Sequence, residues 1–162
     1  MNSSPQKFIK LVRHPVKFRM FLFWKLPAAL FSGVRIKEID EERSIISVPY
    51  KWLTQNPFRS TYFASLAMAA EMSTGVLAMM HIYKRKPAVS MLVTHMEAAY
   101  FKKSTGTTFF VCDAGKQIHD TIEQSIATEE PNSITVKSTG TNKSGELIAE
   151  FLFTWSFKVK KM

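Results

Sequence analysis

A chain of 162 residues with 46% hydrophobic side chains can bury one sizeable core and is too apolar to be disordered. Its single cysteine, Cys112, excludes an internal disulfide, and no His/Cys cluster has metal-ligand spacing, so no metal, cofactor or structural zinc is expected. The formal net charge of +9 sits at one end: residues 1–37 hold eight Lys/Arg and no acid, whereas residues 38–162 hold fourteen basic and thirteen acidic side chains.

This asymmetry predicts a basic helical arm over residues 1–32 and a single, nearly neutral domain over 33–162. Ser4-Pro5 marks a helix start, Phe8, Leu11 and Val12 share one side, and Pro15 and Pro27 divide the arm into short pieces ending near Gly33. The apolar run Phe21–Trp24 is too short for a secretory leader and is interrupted by Lys25, and the lone cysteine suits a reducing, cytoplasmic location. An organelle presequence shares the arm's composition. Such an arm suits the phosphates of a nucleotide-bearing substrate or an anionic membrane surface. No nucleic-acid-binding motif accompanies the charge, so nucleic acid is not an expected partner.

Two short strands follow, over about 34–41 and 44–50, joined by the charged turn Asp40–Arg43. Residues 60–80 then form a long apolar run without proline, read as an enclosed helix rather than a membrane span. Lys84-Arg85-Lys86-Pro87 makes a turn before a long strand over Ala88–Phe101, and a second turn at Lys102–Gly106 precedes a strand over Thr107–Cys112. A polar-faced helix covers Asp113–Glu130, and a short strand covers Ile134–Thr139. The last strand alternates most clearly: Leu147, Ala149, Phe151, Phe153, Trp155, Phe157 and Val159 face one way, with Ile148 and Leu152 the exceptions on the polar side. Unusually long strands imply a curved sheet, and a helix apolar all round must be enclosed. Both demands are met by an α+β hotdog fold, a curved antiparallel β-sheet wrapped around a long central helix, here with an extra N-terminal helical arm.

Glu71 is the one charged residue between Ser60 and Met80. Removing an unpaired carboxylate from water costs several kcal/mol, so the group finds a partner or shifts its pKa upward. At 100° per residue it shares a face with Ala64, Ala67, Met68, Thr74, Gly75 and Ala78, opposite Leu66, Val76, Leu77 and Met80. Small neighbours give a second subunit or an acyl chain access to the carboxylate; tight helix packing explains them equally. Asn56 before Pro57 reads either as a helix N-cap or as a group that orients water or substrate. His95 and Glu97 alternate onto one strand face as a pair or rim positions, and His81, His119 and Asp120 read as surface residues.

The segment Asn56-Pro57-Phe58-Arg59-Ser60-Thr61-Tyr62-Phe63-Ala64, running on to Glu71, resembles the active-site helix of hotdog thioesterases of the phenylacetate-pathway type. In those enzymes an Asn precedes the acidic helix residue by fifteen positions, as Asn56 precedes Glu71. The resemblance implies hydrolysis of an acyl-CoA or other acyl thioester at a homodimer interface with two sites per dimer, the assembly being a homodimer or a tetramer of dimers. It implies Glu71 as base or nucleophile and Asn56 as the group orienting water. Tyr62, Phe63 and Ala64 replace the family's His-Gly-Gly at the helix entrance, which leaves the N–H groups of Phe63 or Ala64, and the Tyr62 phenol, to hold the oxyanion. Lys84 and Arg85, or Lys102 and Lys103, stand beside turns where CoA phosphates could be met; a solvated turn is the alternative. The rival reading is a non-catalytic acyl- or lipid-binding hotdog protein, membrane-peripheral through its arm.

Overall fold

The computed structural model describes residues 4–160. Three helices, α1 (Ser4–Arg13), α2 (Pro15–Lys25) and α3 (Pro27–Ser32), form the N-terminal region. Pro15 and Pro27 each occupy the first turn of the following helix, where a missing N–H costs nothing, and His14 Nδ1 accepts from Lys17 N–H at 3.4 Å at the start of α2. Phe8, Val12, Phe18 and Leu22 are buried from this region.

The remainder comprises β1 (Arg35–Ile39), β2 (Ser44–Val48), a 3-10 turn at Trp52–Thr54, α4 (Phe63–Ile82), β3 (Val89–Tyr100), β4 (Thr108–Cys112), α5 (Gly115–Thr128), β5 (Asn132–Thr141) and β6 (Leu147–Val159). The strands form one antiparallel sheet of six in the order β1-β2-β4-β5-β6-β3. It curves around α4, which packs against β2, β4, β5, β6 and β3 in turn. α4 is long and apolar enough to cross a bilayer, yet most of it lies inside this wrap. Buried hydroxyls bind it to the sheet: the Ser73 and Ser138 hydroxyls are 2.7 Å apart, and Trp155 Nε1 donates to Thr74 Oγ1 at 2.9 Å. This is the hotdog architecture.

Two expectations are corrected. On β6, Leu147 is exposed and Ile148 buried, because the register shift between Gly140 and Thr141 leaves Ile148 without a partner on β5 and turns it inward beside Ala149. His81 is not a surface residue. α5 crosses the C-terminal turn of α4, covers the imidazole to 5% exposure and sets His119 against it at 4.9 Å between ring centroids. That crossing depends on Gly115, where a Cβ would fall 2.2 Å from the Glu41 carbonyl oxygen.

Candidate active site

The face of α4 that carries Glu71 is unevenly covered. Ala64, Ala67, Met68 and Glu71 are half-buried, while Thr74, Gly75 and Ala78 one or two turns on are closed off. Glu71 therefore sits where the open stretch ends. Among the described residues its carboxylate has no hydrogen-bond or ion-pair partner, and burial pushes its pKa above the ordinary 4.5. The carboxylate leans toward the C-terminal turn, so that Oε1 would be 3.1 Å from a Cβ at Gly75 and Trp155 Cζ2 3.4 Å from it. An ionised carboxylate partly withdrawn from water and without a partner is a strong base.

Asn56 does not cap α4, whose N-cap is Tyr62. Its side chain instead fastens the loop before the helix. Oδ1 accepts from Phe58 N–H at 2.9 Å and Ser60 N–H at 3.2 Å, while Nδ2 donates to Ser60 Oγ at 3.1 Å and the Thr61 carbonyl at 3.4 Å. Tyr62 N–H donates to the Thr54 carbonyl at 2.7 Å and Thr61 N–H to the Ser104 carbonyl at 2.8 Å. The helix entrance is thus pinned from both sides. Ser65 and Leu66 N–H both turn back to the Tyr62 carbonyl, and the N–H groups of Phe63 and Ala64 have no acceptor among the described residues. They lie at the positive end of the helix dipole, suited to a developing oxyanion.

Asn56, Tyr62 and Phe63 line one cleft of about 570 Å³ together with Tyr100, Phe101 and Lys103. The last three join it because β3 ends beside the entrance of α4. Sequence reasoning took Lys102–Gly106 as a turn and placed cations there, but it had no signal for Tyr100 and Phe101 as cleft walls. Lys102 is ion-paired with Glu146 at 2.5 Å, while Lys103 is exposed. Lys84 and Arg85 lie at the opposite end of α4. The Arg85 guanidinium is forked onto Glu123, and Lys84 Nζ stands 5.4 Å from the Tyr83 ring centroid. The structure therefore brings Asn56, Tyr62 and Phe63 to one cleft, keeps Ala64 beside them on the first turn of α4 but outside its lining, sets Glu71 two turns along the same helix, and leaves Lys84 and Arg85 remote. His95 and Glu97 pair with each other at 3.1 Å on exposed β3.

Sheet topology and the enclosed central helix define a hotdog-fold protein. A family model described as a domain of unknown function (DUF4442) matches residues 16–157, and the chain belongs to this family. The chain is similar to a Pseudomonas aeruginosa protein of unknown function described as a probable thioesterase, at 16% identity over 90% of this chain and 97% of that one, with a TM-score of 0.76. A Chlorobaculum tepidum protein of unknown function is 17% identical over 96% of each chain, with a TM-score of 0.77. A Haemophilus influenzae thioesterase is 11% identical over 88% of this chain and 89% of that one, with a TM-score of 0.64. At these identities the likeness establishes the fold. No curated protein matches the chain in sequence.

Proposed function

We propose that the protein hydrolyses acyl thioesters, acyl-CoA foremost, at a site shared between two copies of the chain. The observation that carries this reading is Glu71: a carboxylate without partners among the described residues, its pKa raised by burial, on the small-residue face of the central helix. In its ionised form it takes a proton from water as the water oxygen attacks the thioester carbonyl, or attacks that carbon itself. The carbon–sulfur bond then breaks: in the first route Glu71 returns the proton to the departing thiolate, and in the second the thiolate takes a proton from solvent and water hydrolyses the acyl-glutamyl anhydride to the free acid.

A thioester carbonyl also needs donors for its oxygen, and the free N–H groups of Phe63 and Ala64 are the nearest fit. Eight residues separate Phe63 from Glu71, about 12 Å of helix rise, and the carboxylate leans away from the entrance. One carbonyl does not reach both within a single chain. A second copy with its α4 antiparallel to the first would set its helix entrance beside Glu71, giving two equivalent sites per dimer. β3 is a terminal strand of the sheet with a long exposed run, the kind of edge that pairs with another copy. Asn56 serves by holding the entrance loop in place, and Lys103 meets the phosphates of the carrier.

The test is release of free thiol from short, long and aromatic acyl-CoAs by the purified protein, with its mass measured in parallel. Turnover by a dimer or larger even assembly is expected. One observation favours a second reading: Tyr62 and Phe63 are exposed where glycines would give substrate a closer approach. A folded dimer that retains an acyl chain without turnover would decide for an acyl-binding protein.

A further inference from the structure

We propose that the outward face of α2 docks the protein onto an anionic phospholipid bilayer. Val16, Met20, Phe23 and Trp24 recur at i, i+4, i+7 and i+8 and so form one stripe, on the side of the helix away from buried Phe18 and Leu22. The helix has two apolar faces, and only one is covered by the domain. Trp24 is 76% exposed and Met20 57%. Phe23 packs edge-on against Trp24 at 5.4 Å and against Phe31 of α3 at 6.5 Å between centroids, so the rings form one cluster at the α2–α3 corner. A contiguous exposed patch of this kind marks an interaction surface, where scattered single residues would not.

Charge indicates what covers it. At 100° per residue Lys17 and Arg19 flank the stripe on opposite sides. All eight Lys/Arg of residues 1–37 are exposed, and none joins an ion pair among the described residues. A second copy docked face to face would set Lys17 and Arg19 against the same cations of the other copy, and α2 itself carries no acid to offset them. An anionic bilayer instead accepts the rings at the depth of its headgroups and supplies a phosphate for each cation. Each Lys or Arg brought to such a surface strengthens binding about fivefold. The inference stands whether or not the protein is a thioesterase.

The full chain would be sedimented with phosphatidylcholine vesicles with and without phosphatidylglycerol. Phe23→Ser/Trp24→Ser and Lys17→Glu/Arg19→Glu would be compared with the parent, each checked by thermal melt and native mass. Sedimentation with the anionic vesicles alone is expected, released by salt and accompanied by a blue shift of tryptophan emission. Each double variant should lower partitioning at least about tenfold with its mass unchanged. The charge variant alters only exposed side chains, so it remains informative if the aromatic one fails to fold. Equal binding to neutral vesicles, or no binding, would overturn the proposal. So would an aromatic variant that turns a dimer into a monomer, which would assign this face to a second copy.

Discussion

The carboxylate of Glu71 lies over the bare Cα of Gly75, one turn along α4: a methyl group there would stand 3.1 Å from Oε1 and 3.4 Å from Cζ2 of Trp155. The glycine leaves a slot between helix and indole, and the carboxylate occupies its edge. A side chain at 75 would push the acid out toward water.

Gly75→Ala is therefore expected to act on chemistry more than on stability. Alanine in a helix interior gains about 1 kcal/mol over glycine, which offsets the crowding against Trp155. The displaced carboxylate loses its setting, and kcat should fall about tenfold with KM less affected. Steady-state kinetics beside a thermal melt would check both; an unchanged kcat would mean that Gly75 does not position the acid.

Burial raises the pKa of Glu71 above 4.5, so the folded protein holds this proton more tightly than the unfolded chain does. The sign follows directly. The stability associated with the group is intact below about 4.5 and is lost as pH rises through the folded value. Glu71→Gln, which stays neutral, should be more stable than the parent at neutral pH. The difference should close as pH falls toward 4.5. Denaturant melts across that range measure it, and a pH-independent difference would place the carboxylate in water.

His81 behaves oppositely. Burial foremost, with repulsion from His119 and Arg85 outweighing the opposing pull of the Glu41 backbone and Glu123, lowers its pKa from 6.5 to about 4, and among the described residues neither ring nitrogen has a partner in hydrogen-bond geometry. The unfolded chain takes up this proton first, so stability is lost as pH falls from 6.5 toward 4. The full loss is about 3 kcal/mol. His81→Leu should flatten the profile over that window, whatever its stability at neutral pH; chemical denaturation at several pH values reads the slope.

What the sequence revealed tracks how local the signals were. The alternation of Ala149 through Phe157 identifies a strand with one buried face because period two is written in adjacent residues. The isolation of Glu71 in an apolar run identifies an enclosed acid for the same reason. Ile148 was missed because a bulge depends on the partner strand, and His81 because α5, far along the chain, provides its cover. Asn56 was legible as either a helix cap or a group orienting water or substrate, and the cap reading turned on where α4 begins, which the structure places at Phe63. Tyr100 and Phe101 reach the cleft only through the pairing of β3 with β6, which no local pattern encodes.

Whether Glu71 is the catalytic acid-base group is decided by thiol release from acyl-CoA by Glu71→Gln beside the parent protein, with fold and mass confirmed for both. The substitution should lower kcat by roughly 10²–10⁴-fold, the usual scale for removing a positioned base, while the assembly stays intact. Full activity in the glutamine variant would contradict that role.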